Sequence, residues 1–159
     1  MKLSKYLTLD EAIKSPTAIK NGIANFPNPE QLEAMRYVAV EVFDKVREFV
    51  GGPLYASSFF RSPELNRIIG GSSKTSQHMT GEAIDIDCDV FRHGNNAVVF
   101  FFIKNKLAFD QLIGEYPNHE GNFAWVHVSL RRDGRNRHEV LIKLTDRYIP
   151  FDQWRPGMV

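Results

Sequence analysis

Cysteine is nearly absent from the sequence, and so are long apolar segments. Cys88 is the single cysteine among 159 residues, so no disulfide can form within the chain, as is typical of proteins of a reducing compartment. No apolar run approaches the ~18 residues of a membrane-spanning helix. Residues 1–15 contain early lysines but neither an apolar segment nor a small-residue cleavage site, so no secretory signal peptide is expected. We therefore expect synthesis in the cytoplasm and no membrane insertion.

An excess of charge of either sign is also missing. The net charge is +1, which provides no general attraction to nucleic acid or to an acidic membrane surface. The basic cluster RRDGRNRHE at 131–139 is local, and no nucleic-acid partner is predicted. At this length, and without repeats, the chain is predicted to be one domain and a monomer. It would have a helical part over 1–50, a core with the candidate site over 54–144, and a C-terminal tail over 145–159.

Capping signals mark the starts of four predicted helices. A side chain that can accept a hydrogen bond from the first turn precedes a helical pattern at Thr8, Asn28, Ser62 and Asn95. The longest pattern follows Asn28, where apolar residues recur at three- and four-residue spacings until Gly-Gly-Pro at 51–53. The helix after Ser62 is expected to end at Gly70 and Gly71, and the last one near Lys106.

Alternating or apolar segments predict five strands, at 54–59, 82–90, 109–115, 123–130 and 139–144. In the segment 82–90, isoleucines and Cys88 occupy one face and aspartates the other. The Asp-Gly turn within 131–137 is expected to make a hairpin of the last two strands. Because the strands come in short units after early helices, we predict an α+β fold with an antiparallel sheet and helices packed on one side.

The aspartates of the segment 82–90 need a physical explanation. A carboxylate on a half-buried strand is costly unless it is paired or bound to a cation. His78 lies in the loop before this strand, and His127 shares a face of the strand 123–130 with Trp125. Two imidazoles and a carboxylate such as Asp85 are usual ligands of an open zinc site. The spacing alone also fits a simpler interpretation, with His127 as a structural residue and the aspartates as a solvated face.

Three motifs resemble one peptidase family. SQHMTGEAID at 76–85 matches the pattern Ser-x-His-x-x-Gly-x-Ala-x-Asp of zinc D-Ala-D-Ala carboxypeptidases and related bacteriophage peptidoglycan peptidases. SSFFRSPELN at 57–66 and WVHVS at 125–129 are similar to two further segments of this family, peptidase family M15 of clan MD, in the same order. The resemblance implies a hedgehog/DD-peptidase-like fold. It also implies a zinc ion held by His78, Asp85 and His127, with water in the fourth position.

The catalytic base is less plain from the sequence. Dipeptidases of the clan have a glutamate three residues before the last histidine, where this chain has Ala124. FDQLIGE at 109–115 resembles a strand of the hedgehog signalling domain that ends in a glutamate beside the zinc water, and that glutamate aligns with Glu115. We therefore predict Glu115 as the base, with Glu120 as the second candidate and Asp110 as the third.

Further roles follow from the same resemblance. Arg61 matches the family's arginine that binds the substrate carbonyl or carboxylate, and a fixed guanidinium can stabilise an oxyanion. The simpler interpretation is a salt bridge from Arg61 to Glu64. Phe59 replaces the usual glycine of this motif. Ser76 is expected to form a hydrogen bond within the site and to assist substrate binding with Arg61. Trp125 is expected to line the pocket and to assist binding too, and the alternative is a position in the core.

Several other polar residues are not assigned to the chemistry. His93 in RHGNN resembles half of a nuclease-like His-Asn pair, but no second histidine occurs at a matching spacing. His119 and His138 are predicted in loops or turns. Cys88 is predicted in the core because it lies on the face opposite the aspartates. Asp87 could form a supporting hydrogen bond within the site, like Ser76, but it is predicted to be a solvated carboxylate.

The implied activity is zinc-dependent hydrolysis of an amide bond in peptidoglycan stem peptides. The bond would be D-Ala-D-Ala, L-Ala-D-Glu or a cross-bridge, cleaved by a carboxypeptidase or by an endolysin-type endopeptidase. Without a signal peptide or wall-binding repeats, we expect a bacteriophage or prophage lysis enzyme that degrades the cell wall once released. The alternative is a zinc-containing module that binds wall peptide or a protein without turnover, and Ala124 keeps this alternative open.

Overall fold

One mixed β-sheet organises the computed structural model, which describes residues 1–70, 72–91 and 95–159. The sheet has six strands within these residues: β1 (Tyr55–Ser58), β2 (Ala83–Asp87), β3 (Gln111–Pro117), β4 (Phe123–Ser129), β5 (Glu139–Lys143) and β6 (Tyr148–Pro150). Their order is β1-β2-β4-β3-β5-β6. All neighbours are antiparallel except β3 and β5, which run parallel. The α+β class is confirmed.

The predicted antiparallel sheet and the predicted hairpin at 131–137 are both wrong. Strand β4 is paired with β2 on one edge and with β3 on the other, so no edge remains for β5. The chain therefore passes β3 after residue 130 and adds β5 to the free edge of β3, in parallel. Residues 131–137 form this connection between strands that are not neighbours in the sheet.

Strand β2 is shorter than the alternation predicted. It ends at Asp87, and residues Asp89–Phe91 form a 3₁₀ turn instead. The side chain of Asn96 explains the break, because its Oδ1 accepts a hydrogen bond from the Cys88 N–H at 2.9 Å. Its Nδ2 donates to Asp87 Oδ1 at 3.0 Å. Asp87 is therefore hydrogen-bonded within the protein, whereas the sequence predicted a solvated carboxylate.

The helices within the described residues are α1 (Leu9–Ile13), α2 (Pro16–Asn21), α3 (Pro29–Val38), α4 (Lys45–Val50), α5 (Pro63–Ile68) and α6 (Asn96–Lys106). A π-helical segment, Ala39–Asp44, joins α3 to α4. The four predicted N-caps are confirmed, since each side chain accepts a hydrogen bond from the backbone N–H three residues on. Gly51 ends α4 with φ +67°. No helix among these described segments is both long and apolar enough to cross a membrane.

The hydrophobic core lies between one face of the sheet and helices α3 and α6. On the sheet side it contains alternate residues of adjacent strands, and on the helix side it contains Met35, Val38, Phe100 and Ile103. The alternate strand residues are Ile84, Ile86, Val126, Val128, Leu112 and Ile142. Residues 145–159 take part in the fold, because β6 pairs with β5 and Trp154 joins the core. The intervening strand residues face away from this core, where polar side chains collect.

Candidate metal centre and active site

Three predicted metal ligands meet on the sheet face opposite the core. Asp85 on β2 lies directly across from His127 on β4 in the antiparallel register. His78 lies on a 3₁₀ turn, Gln77–Thr80, that leads into β2. Asp85 Oδ1 is 2.9 Å from His127 Nδ1 and 3.3 Å from His78 Nε2. One possible ligand atom from each residue lies within 4.8 Å of the others.

The turn that carries His78 is held at both ends. Ser76 Oγ accepts a hydrogen bond from the backbone N–H of His78 at 3.4 Å. Gly81 ends the turn with φ +78°, and a Cβ at this position would lie 2.6 Å from the backbone oxygen of Gln31. His78 Nδ1 donates to the carbonyl oxygen of Phe59 at 2.7 Å, which leaves Nε2 to face Asp85. Such a carbonyl partner is the usual device that fixes the tautomer of a metal-binding histidine.

The electrostatics keep Asp85 ionised although it is buried. Burial raises the pKa of its carboxyl group, but the charges and hydrogen bonds of His78 and His127 outweigh burial and hold the pKa well below its usual range. Arg61 Nη2 also donates to Asp85 Oδ2 at 3.1 Å. Burial lowers the pKa of His78, which favours the neutral imidazole that a metal requires. These three partners of Asp85 thus offset the energetic cost of burying its carboxylate on β2.

The donor set fits a zinc ion. Zinc prefers imidazole nitrogen and carboxylate oxygen in a tetrahedral arrangement, and ligands ~2.0–2.1 Å from the metal lie about 3.3 Å from one another. The separations of Asp85 Oδ1 from His127 Nδ1 and from His78 Nε2, 2.9 Å and 3.3 Å, are close to that spacing. The outer contacts to Phe59 and Arg61 orient the imidazole of His78 and the carboxylate of Asp85.

A cleft of about 970 Å³ opens over these three residues, and Glu115 on β3 lines it together with Arg61 and Trp125. Ile113 is directly across from His127, and Glu115 follows two residues later on the same face. Glu115 is 8% exposed. Burial raises the pKa of its carboxyl group to about 7, and the charges of His127, Lys143 and Arg61 oppose this rise only in part.

A comparison with models of known protein families shows to which family the chain belongs. The model of the family described as Peptidase M15 matches residues 5–129. This chain belongs to the Peptidase M15 family. The match spans the 3₁₀ turn and strands β1 to β4, and therefore every predicted metal ligand and the predicted base. A search of curated proteins found no match.

The other two candidate bases of this peptidase lie in different surroundings. Glu120 is exposed in the turn between β3 and β4 and is not among the residues that line the cleft. Asp110 is fully buried and accepts several hydrogen bonds from Arg137, the shortest at 2.7 Å to Nη2. Asp110 is therefore engaged as a structural anion. Asp110 and Glu115 both line the cleft, but among the described residues only Asp110 has a salt-bridge partner, whereas Glu115 lies two residues from Ile113, the residue directly across from His127. The role of Glu115 as base stays a prediction.

The departure at Ala124 does not leave the cleft without a carboxylate. Trp125 and His127 line the cleft, whereas Ala124 is exposed and is not among the residues that line it. The predicted base, Glu115, lies on the neighbouring strand β3 and does line the cleft.

The remaining predicted residues have definite places. Trp125 and Ser76 line the cleft, and the ring centroid of Trp125 is 5.2 Å from that of Tyr116. Arg61 pairs with Asp85, and no contact with Glu64 replaces this pair among the described residues. Cys88 is buried in the core, as predicted. His93 lies outside the described residues.

The cleft residues that had no role in the sequence prediction include Tyr116, Lys143 and Tyr148. Lys143 alternates with core residues along β5, which would have placed it on the cleft side of its strand. Its place beside Glu115, however, depends on the parallel pairing of β5 with β3, which the sequence pattern did not reveal. Tyr116 has a positive φ of 48°, and no local pattern signals this conformation.

Proposed function

We propose that this chain is a zinc-dependent peptidase that hydrolyses an amide bond in peptidoglycan stem peptides. The observation that carries the proposal is the convergence of two imidazoles and the carboxylate of Asp85 in a cleft that also contains Glu115. Membership in the Peptidase M15 family supports a peptidase reaction. Peptidoglycan as the substrate, and a setting in bacteriophage lysis, rest on the resemblance of the motifs to wall peptidases.

His78, Asp85 and His127 would hold the zinc ion. Such an ion, when bound, lowers the pKa of a coordinated water toward ~7 and polarises the scissile carbonyl. The ionised carboxylate of Glu115 accepts a proton as water attacks and then donates it to the leaving amine. A pKa of about 7 suits both steps, because the group is neither too weak a base nor too weak an acid near neutral pH.

Arg61 has two tasks in this proposal. Its Nη2 holds one oxygen of Asp85, and its Nε donates to Ser58 Oγ at 2.9 Å, so the planar guanidinium is fixed on two sides. The guanidinium also lines the cleft, where its remaining N–H groups can donate to the carbonyl oxygen as negative charge develops. A fixed donor stabilises such charge well because it needs no reorganisation during the reaction.

The alternative is a zinc-containing module that binds a peptide without cleaving it. The missing glutamate at 124 was its main support. Since Glu115 lines the cleft although position 124 does not, the geometry favours the hydrolase.

The test compares two single substitutions of acidic residues, Glu115→Gln and Glu120→Gln. Purified protein is loaded with zinc, incubated with peptidoglycan, and assayed for new free amino groups. Glu115→Gln should bind zinc as the unsubstituted protein does and lose about 100- to 10,000-fold in rate, the usual share of general-base catalysis. Glu120→Gln is the matched control and should keep its rate.

Two outcomes would contradict parts of the proposal. If the zinc-loaded unsubstituted protein binds peptidoglycan but releases no amino groups, the binding module is the better description. If Glu120→Gln is inactive and Glu115→Gln is active, the assignment of the base is wrong but the reaction class stands. Identification of the newly exposed amino-terminal residue shows which bond is cut.

A further inference from the structure

Among the described residues, one basic side chain of the cleft forms no salt bridge with a carboxylate. Apart from the histidines, four basic residues line it, and three of them are paired with carboxylates at 2.6–3.1 Å: Arg61 with Asp85, Arg131 with Asp133, and Arg137 with Asp110. The fourth is Lys143. Among the described residues, no carboxylate lies within salt-bridge distance of its ammonium group, although Glu115 is its neighbour in the parallel register.

Two tyrosine rings hold this ammonium group in place. Lys143 Nζ lies 4.8 Å from the ring centroid of Tyr148 and 5.8 Å from that of Tyr116. The faces of aromatic rings attract a cation but carry no net charge, so they position the ammonium group without neutralising it. Its three N–H donors keep their capacity for an anion, because neither ring supplies a conventional acceptor atom.

The backbone of Tyr116 is arranged in an unusual way beside Lys143. Simple alternation along β3 would direct Tyr116 to the core side, opposite Glu115. Its φ is 48°, a backbone conformation that is uncommon and unfavourable for an aromatic residue. The ring of Tyr116 instead lines the cleft, in contact with Trp125 and near Lys143. Strain of this kind occurs preferentially where a ligand is bound.

The position of Lys143 relative to the candidate metal centre sets the size of the ligand. The strand β3 separates β5 from β4, and Lys143 lies two residues beyond Leu141, which is level with Ile113 and His127. Two strand spacings and two residues of rise amount to about 12 Å between the backbones of His127 and Lys143. An extended peptide covers this span with about three or four residues.

We propose that Lys143, held between Tyr116 and Tyr148, binds a carboxylate of the peptide substrate. This inference rests on the proposed function for its claim that the ligand is a peptide. The carboxylate belongs to a residue within about four positions of the scissile bond, by the span given above. It comes from either the carboxyl terminus or an acidic side chain, and both present the same anion to the ammonium group.

The experiment measures binding rather than turnover. Synthetic stem peptides that contain the L-Ala-D-Glu and D-Ala-D-Ala bonds are titrated calorimetrically into zinc-loaded Glu115→Gln protein, with and without Lys143→Gln. Three forms are used: the free peptide, the C-terminal carboxamide, and the peptide with its side-chain carboxylate amidated. Removal of the ammonium group should weaken binding of the free peptide by on the order of 10- to 100-fold, as expected for hydrogen bonds to a charged group.

The three peptides distinguish the source of the carboxylate. The form that lacks the recognised carboxylate should bind weakly already and should not respond to Lys143→Gln. Lys143→Arg should keep the preference for the free carboxylate. Lys104→Gln is the matched control, because Lys104 Nζ also lies over a ring, 5.1 Å from the centroid of Phe151, but Lys104 does not line the cleft.

The inference is overturned if Lys143→Gln changes nothing, if it weakens all three forms equally, or if Glu115→Gln protein with Lys143 intact does not distinguish carboxylate from amide. The last comparison needs no substitution at Lys143, so it holds even if Lys143→Gln fails to fold. A separate outcome would overturn only the proposed function. In that outcome the peptide binds in a manner that depends on Lys143, but the zinc-loaded unsubstituted protein releases no amino groups.

Discussion

Asp85→Asn isolates the charge on which the candidate metal centre depends. The substitution preserves the shape of the side chain and one carbonyl-type oxygen, but it removes the anion that faces two imidazoles and Arg61. A neutral amide oxygen is a poor zinc ligand compared with a carboxylate. We therefore expect the variant to fold and to lose most of its affinity for zinc.

The size of the effect follows from linkage between binding and folding. Zinc at 100 times its dissociation constant stabilises the folded protein by about 2.7 kcal/mol. For a domain of this length, 1 kcal/mol corresponds to about 2–4 °C in Tm, so the unsubstituted protein should gain roughly 5–10 °C with zinc. Asp85→Asn should gain almost nothing. Without zinc its Tm should already be lower, because a buried charge left without its partner costs about 3–5 kcal/mol and Arg61 is largely buried.

The measurement is a thermal melt of each protein with and without zinc, followed by circular dichroism. Asp110→Asn is the matched control, since it removes a buried carboxylate that is paired with Arg137 rather than with the histidines. It should lower the Tm but keep the full gain with zinc. A zinc-dependent gain of the same size in Asp85→Asn and in the unsubstituted protein would refute the assignment of the metal centre.

Three further predictions use other parts of the structure. The kcat/KM of zinc-saturated protein should rise as pH increases through about 7, because only ionised Glu115 accepts the proton; a pH–rate profile checks this. Asp110 has a lowered pKa, chiefly because the hydrogen bonds of its arginine partner overcome burial. Its contribution to stability should therefore be present above its ordinary pKa of ~4 and be lost as pH falls, as urea denaturation at several pH values will show. Gly81→Ala should cost more than about 2 kcal/mol in urea denaturation, because its φ is +78° and the new Cβ would meet the Gln31 oxygen at 2.6 Å. Gly134→Ala, with φ +73° and open space around it, should cost only about 1 kcal/mol.

Local signals predicted the starts of four helices, but the short helix α2 was missed although Ser15 caps it. Caps at Thr8, Asn28, Ser62 and Asn95 were each found where the sequence indicated them. A cap depends on a side chain and a backbone group three residues apart, so its signal is contained in a short segment. The strands were also located to within a few residues, although β2 proved shorter because Asn96, eight residues after Cys88, bonds to its end.

Long-range pairings were predicted less well. An Asp-Gly turn between two strands indicates a hairpin, but β4 was already paired on both edges and β5 joined β3 instead. The pairing of the whole sheet determines which strand edge is free, and the sequence of the turn does not contain this information. The neighbours of Glu115 were missed for the same reason, because Lys143 reaches it only through this parallel pairing.

The sequence alone was enough to predict the family and to single out His78, Asp85 and His127 as candidate metal ligands, because their residue types and their order along the chain match a family motif. Only the tertiary structure decided how these residues are used. It places Asp85 across from His127, puts Glu115 in the cleft, and brings Lys143 near two tyrosine rings. These facts depend on strand register and on a single backbone angle at Tyr116, and both are properties of the assembled sheet rather than of any short segment.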